Sequence, residues 1–188
     1  MGQRLNIEII KGGKTLANAY YHWGAYTASA LELTEIVLRN VDKVNASNDV
    51  LYAVRLLETT GTLLKENEIS EMKKITPDEE FAPAQSRNSG LIAVSEKEMD
   101  FTRLWEEGRV EIDLDQELIR FDVYWYLEKE DFDSVAEYES IPLAEREDYM
   151  NVPFDEFKAF AEEIYRLIEK GVYQIRLKNG NVIEFIDC

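Results

Sequence analysis

Apolar and polar residues alternate through Leu5, Ile7 and Ile9, and a second alternating run follows Gly12-Gly13. A two-residue glycine turn between such runs predicts a hairpin over 3–10 and 14–23. Regular pairing through that turn sets Leu16, Asn18 and Tyr20 across from the Leu5 row, with His22 continuing it. The period then becomes helical. Leu33, Ile36, Val37, Val41 and Val44 predict a helix over 29–44, with Ser29 and Glu32 as a capping box. Leu51, Val54 and Leu57 predict a second helix over 50–64, whose end Thr59, Thr60 and Gly61 weaken. Thr76-Pro77 reads as the start of a helix that Pro83 keeps short, and Gln85 to Gly90 as a polar loop. Leu91 to Val94 reads as a strand. Ser95 and Glu98 mark a capped helix running to Glu107 and ended by Gly108.

Downstream, Val110, Ile112 and Leu114 alternate, as do Ile119, Phe121, Val123, Trp125 and Leu127, which predicts a hairpin over 109–114 and 117–127. Phe157, Ala161, Ile164 and Ile168 place a helix over 154–170, closed by Gly171. Asn179-Gly180 then joins strands 172–178 and 181–186 through a type I′ turn. Hairpins and helices mixed in this way predict an α+β fold, with a mainly antiparallel sheet built from hairpins and helices packed on one face. No βαβ run opens on a glycine-rich turn, which argues against a doubly wound nucleotide fold. Residues 1–65 alone offer a small core, so the expectation is a single acidic domain over 1–188.

Charge changes this picture in one respect. The chain has 188 residues and a formal net charge of −17. Residues 1–65 hold 6 Asp/Glu against 7 Lys/Arg, whereas 66–188 hold 32 against 14. The densest stretch, Glu128 to Asp148, carries 9 acids and 2 bases in 21 residues. Such a surface repels nucleic acid and anionic membrane and attracts basic partners. Its mixture of acids with Phe132, Tyr138 and Ile141 fits a recognition loop, in which Glu128, Glu130, Asp131, Asp133, Glu137 and Glu139 orient a basic protein and Phe132 and Tyr138 anchor it. It equally fits a solvated connection.

Two further groups carry chemistry. Asn18, Tyr20, His22, Trp23 and Thr27 crowd aromatic and polar side chains, including the only histidine, into one strand end and turn. They suit either a small-ligand pocket or a satisfied structural network. Glu111 and Asp113, with Asp122 on the adjoining strand, present carboxylates of the kind Mg²⁺ or Ca²⁺ takes. The same alternation also describes a solvated strand face. One histidine and one cysteine exclude a zinc cluster, and Cys188 has no base beside it to make it a nucleophile. The first residues carry no signal-peptide pattern, and Asn6 stands where a myristoylation site wants Ser or Thr. The expected location is the cytoplasm.

The opening MGQRLNIEI and the stretch LANAYYHWGAYTASALELT resemble uncharacterised proteins of Gram-positive bacteria and their phages, over roughly the first 35 residues. The resemblance implies a mobile-element setting, where small acidic proteins counter host defence, and it carries no site residues with it. The leading expectation is an acidic protein-binding protein, an inhibitor engaging a basic or nucleic-acid-binding host protein. The alternatives are a hydrolase using a carboxylate-bound metal at Glu111, Asp113 and Asp122, and a nucleotide- or metabolite-binding protein using the Asn18–His22 cluster.

Overall fold

The structure is a computed structural model that describes residues 3–85, 90–127 and 142–187. The Gly12-Gly13 hairpin forms, with β1 (Leu5–Lys11) and β2 (Lys14–Tyr21) joined by two glycines at φ +61° and +68°. Its register differs from regular pairing. Ile9 pairs with Ala17 and Ile10 with Thr15, so Leu16 is an extra residue in β2. A bulge of this kind moves every side chain beyond it to the other face. Ala17 and Ala19 therefore join the row of Leu5, Ile7 and Ile9. Asn18 and Tyr20, expected in that row, instead stand on the outer face, paired with Glu8 and Asn6.

The chain continues through α1 (Thr27–Leu38), α2 (Asp49–Glu58), β3 (Leu63–Leu64), α3 (Glu66–Ile75), β4 (Leu91–Ala93) and α4 (Glu96–Arg103). It then adds β5 (Gly108–Asp113), β6 (Leu118–Asp122), β7 (Tyr124–Leu127), α5 (Pro142–Glu145), β8 (Asn151–Pro153), α6 (Phe154–Glu169), β9 (Gln174–Arg176) and β10 (Val182–Phe185). Among the described residues, seven strands form one sheet in the order β3-β4-β2-β1-β5-β6-β8, and three form another in the order β7-β10-β9. Six of the pairings between described strands are antiparallel; β1 with β5 and β3 with β4 are parallel. The fold is α+β, with a mixed, mostly antiparallel sheet and helices packed against it.

One face of the large sheet builds the core. Leu5, Ile7, Ile9, Val110, Ile112, Ile119 and Phe121 are fully buried there and cluster with Leu31 of α1, Leu57 of α2 and Phe157 of α6. Each large side chain removed from water in this way contributes roughly 1.5–3 kcal/mol. Helix α4 lies on the opposite face, where Asn6 donates to the Thr102 carbonyl.

Several expected boundaries move, each for a local reason. The first helix begins at Thr27, with Tyr26 at its N-cap, and not at a Ser29–Glu32 box. Thr27 is held there because its hydroxyl donates to the Val123 carbonyl (2.8 Å) and accepts from Ile186 N (2.8 Å). That contact also takes the Val123 carbonyl, so the expected 117–127 strand splits into β6 and β7. Trp125 is consequently exposed rather than part of a buried row. Helix α2 stops at Glu58, where the Thr59 and Thr60 hydroxyls donate to the Leu56 and Leu57 carbonyls and Gly61 follows at φ +83°. Thr76 closes α3 and does not open a helix: its N–H and hydroxyl both donate to the Met72 carbonyl.

At Asn179-Gly180 only the glycine has a positive φ, +88°. Gly180 N donates to the Leu177 carbonyl and Leu177 N to the Asn181 carbonyl. The loop is thus a type I turn followed by a left-handed glycine, not a two-residue type I′ turn. Among the described residues, no helix is long and apolar enough to cross a membrane.

Candidate functional site

Strand pairing arranges the outer sheet face into two rows of polar residues. One runs Tyr20, Asn6, Arg109, Asp122, and the other Asn18, Glu8, Glu111, Arg120. Helix α4 covers part of both. Its inner side supplies Met99, Thr102 and Arg103, and the sheet answers with Asn6, Glu8 and Asn18, all buried.

The polar groups beneath α4 satisfy one another. Asn6 Nδ2 donates to the Thr102 carbonyl (3.2 Å) and to Glu106 Oε2 (2.8 Å), and Asn6 Oδ1 accepts from Asn18 Nδ2 (3.1 Å). The Thr102 hydroxyl lies 3.1 Å from Asn18 Oδ1 and 2.8 Å from the Met99 carbonyl. Arg103 grips Glu8 with two hydrogen bonds, Nε to Oε1 (2.7 Å) and Nη2 to Oε2 (2.8 Å). The Thr15 hydroxyl adds a third to that carboxylate (3.0 Å). Burial pushes the Glu8 carboxyl up, but the Arg103 hydrogen bonds and charge outweigh it and hold the group below its ordinary value. The same Glu8 contacts raise Arg103 further. Such a closed network fixes the helix on the sheet, because any displacement strands several buried polar groups at once.

What the network holds outward is apolar. Phe101 is 59% exposed, Leu104 57% and Trp105 79%. The helix ends at Arg103, and Glu106 N donates back to the Arg103 carbonyl (3.3 Å). Leu104 has φ −62° and ψ 110°, and Trp105 has φ +84°. Those angles define a type II turn with Trp105 in the position that ordinarily requires Gly or Asn. A bulky side chain there costs about 1–2 kcal/mol of backbone strain, and in the free chain little burial repays it.

Tyr20 and His22, extending from β2, complete an aromatic lip. The Tyr20 hydroxyl and His22 Nδ1 share a hydrogen bond of 3.0 Å, and the His22 ring meets Trp23 edge-on at 5.0 Å. Between these side chains and Phe101, Leu104 and Trp105 opens a pocket of about 200 Å³, with Arg4, Lys65 and Glu98 at its margin. Lys65 pairs with Glu98 and lies 5.5 Å from the Phe101 ring centre. The pocket has room for about one apolar side chain.

The sequence candidates thus separate. Tyr20 and His22 line the pocket and Trp23 stands exposed beside His22. Asn18 lies beneath α4 as a satisfied network member, and Thr27 is a buried pin between α1 and the smaller sheet. Glu111, Asp113 and Asp122 are not gathered. Glu111 and Asp122 face Arg120 and Arg109 across the strand pair, while Asp113 Oδ1 accepts from Asp115 N and Gln116 N to shape the turn. Among the described residues, no group of three or more His, Cys, Asp or Glu is placed to hold a metal ion. The partner candidates Glu128, Glu130, Asp131, Phe132, Asp133, Glu137, Tyr138 and Glu139, and Cys188, lie outside the described residues.

Phe101, Leu104 and Trp105 did not emerge from the sequence as site residues, because 96–107 reads as one helix. The available signal was the apolar trio in Phe101-Thr-Arg-Leu-Trp105, which leaves no buried stripe once Met99 and Thr102 face inward.

Further concavities lie among the described residues, one of them along α6 beside Arg146 and Phe160. A cleft of about 660 Å³ lies between the starts of α2 and α6, and its acids include Asp49 and Asp155. Both sit in first helical turns, where the helix dipole favours them, and Asp49 is further paired with Lys11 at 2.7 Å. A smaller pocket of about 500 Å³ follows the aromatic lip in the chain, bounded by Glu106, Glu107, Arg109, Glu111, Arg120, Asp122 and Tyr124. Searches against protein-family models, curated proteins and solved structures find no match for this chain.

Proposed function

We propose that this chain is a protein-binding protein whose contact surface is the aromatic lip formed by Tyr20, His22, Trp23, Phe101, Leu104 and Trp105. One observation carries the reading: Trp105 is held at a positive φ and yet is 79% exposed. Strain without burial is a cost in the free chain, and it is repaid when a partner covers the indole. Tryptophan at the centre of an apolar patch is also the residue type on which interface energy most often concentrates. The net charge of −17 selects a basic partner and speeds its encounter. With the resemblance of the N-terminal stretch, the reading becomes an acidic inhibitor of a basic host protein, working in a mobile-element setting.

The test is a photo-crosslinking amino acid placed at Leu104, with the same probe at exposed Ile75 as control, in cells of the natural host. A specific basic protein captured through Leu104, and lost when Trp105→Ala is added without a fall in melting temperature, supports the reading. Equal capture from both positions, or capture that survives Trp105→Ala, overturns it. A lip buried only against a second copy of the chain, seen as a dimer that Trp105→Ala dissolves, also rules out a basic partner there.

A further inference from the structure

Helix α4 ends at Arg103, although nothing in the residues that follow stops it. Leu104, Trp105, Glu106 and Glu107 are all compatible with a helix, and the first breaker is Gly108. One more turn would need the Thr102 carbonyl to accept from Glu106 N and the Arg103 carbonyl to accept from Glu107 N. Strand β1 diverts a partner from each bond. Asn6 Nδ2 donates to the Thr102 carbonyl (3.2 Å), and Glu107 N donates to the Arg4 carbonyl (2.8 Å). Glu106 N turns back to the Arg103 carbonyl instead (3.3 Å), which closes the turn that carries Trp105.

Of these two diversions, the one at Asn6 is made by a side chain and so depends on residue type. Its carboxamide is fully buried, and the nitrogen has two hydrogens to give. One goes to the Thr102 carbonyl ahead of the turn, the other to Glu106 Oε2 behind it (2.8 Å). A carbonyl and a carboxylate can only accept, so the nitrogen rather than the oxygen must face them. Asn6 Oδ1 is then free to accept from Asn18 Nδ2 (3.1 Å). Serine or threonine has one donor and an ionised aspartate none, so neither reproduces the set. Among the described residues, no other side chain bonds to both Thr102 and Glu106.

We infer that Asn6 is the positioning residue of the aromatic lip: it ends α4 early and holds Trp105 in the turned-out conformation that a partner meets. At 0% exposure it cannot touch that partner itself. The inference rests on the reading of Trp105 as a binding anchor and adds the residue that presents it. In a chain whose helix ran on, Trp105 would take a negative φ and lose its strain. Such a chain would have to give up that relaxed form before binding.

NMR of the full chain reads the turn directly. At positive φ the amide and α protons of one residue lie close, so the cross-peak within Trp105 should be strong. Asn6→Thr, which suits a strand but has one donor, should weaken that cross-peak and move the Cα shifts of 104–106 toward helical values. Glu106→Ala, at a half-buried position, cuts the rear bond alone and should weaken the cross-peak in part. Ile183→Val, a loss of packing in the smaller sheet, should leave it unchanged. Capture of the basic host protein through Leu104 should fall about tenfold in Asn6→Thr, as if a tenth of the chains kept the competent turn, and should be unaffected by Ile183→Val. A cross-peak that stays strong in both Asn6→Thr and Glu106→Ala overturns the proposal. So does a weakened cross-peak with undiminished capture, which leaves the anchor reading standing. Capture that survives Trp105→Ala in the otherwise unaltered chain is the separate failure of the anchor reading, and the proposal falls with it.

Discussion

Glu8 and Arg103 meet through two parallel hydrogen bonds, 2.7 Å and 2.8 Å long, that tie the middle of β1 to the last residue of α4. Glu8 is 2% exposed, so its carboxylate has exchanged water for this guanidinium and the Thr15 hydroxyl. Removing one partner leaves a buried charge unpaired, which costs more than the pair itself contributes. Arg103→Met should therefore destabilise the protein by about 3 kcal/mol, the lower end for a broken buried pair because Arg103 is partly hydrated. Adding Glu8→Gln to that variant should recover part of the loss. Urea denaturation of the two single variants and the double variant reads this directly; strict additivity would mean that the two side chains are not coupled.

Acid should weaken the same contact, and the sign follows from the shift. Burial raises the Glu8 carboxyl, but Arg103 holds it, on balance, below the ordinary 4.5. A carboxyl lowered in the folded state contributes stability that is present above its unfolded value and lost as pH falls through its folded value. Stability should thus decline below pH 4.5, with amide exchange in α4 rising first. Asp148, also lowered, adds to the slope: burial pushes it up, and bonds from Asn151 and Met150 more than offset this. The informative comparison is therefore wild type against Glu8→Gln, which should show a shallower acid decline. Parallel curves would remove Glu8 from the account.

Much of this arrangement was legible in the chain. The Gly12-Gly13 turn, the alternating strands and the Phe157–Ile168 stripe announce themselves because local rules and burial agree there. The face on which Asn18 and Tyr20 stand was not legible. It depends on one extra residue, Leu16, and nothing in Lys14-Thr-Leu-Ala-Asn distinguishes a bulged strand from a regular one. That slip turns an apparent interruption of the core into a buried polar network. The aromatic lip was half visible, through Tyr20, His22 and Trp23. Its other half was hidden because a tryptophan in the glycine position of a type II turn is what local preference advises against. Charge counting drew attention to Glu128–Asp148, most of which lies outside the described residues, whereas the placing of Arg109 and Arg120 opposite Asp122 and Glu111 depends on strand register.

Divalent metal offers a simple discriminating measurement. Glu111, Asp113 and Asp122 are divided between arginine-facing positions and a turn, so Mg²⁺ or Ca²⁺ gains no preformed site from them. Millimolar amounts of either ion should leave the melting temperature unchanged at constant ionic strength, since a ligand stabilises only by binding the folded state. A rise that Asp113→Asn and Asp122→Asn abolish would restore the carboxylate–metal reading.

Trp105 separates stability from binding within a single residue. At φ +84° an alanine keeps the left-handed strain while losing whatever contacts the indole makes, whereas glycine adopts that conformation freely. Trp105→Gly should therefore be more stable than Trp105→Ala by about 0.5–1 kcal/mol, because the relief of strain exceeds the added freedom of the unfolded chain. Trp105→Asn should fall on the glycine side, as a residue that tolerates the left-handed region. If the indole serves only the free fold, the wild type will be the most stable of the four. If it is kept for a partner, the glycine variant will match or exceed the wild type in urea and lose the partner completely. Urea midpoints for the four chains, measured beside their crosslinking yields at Leu104, decide between these outcomes.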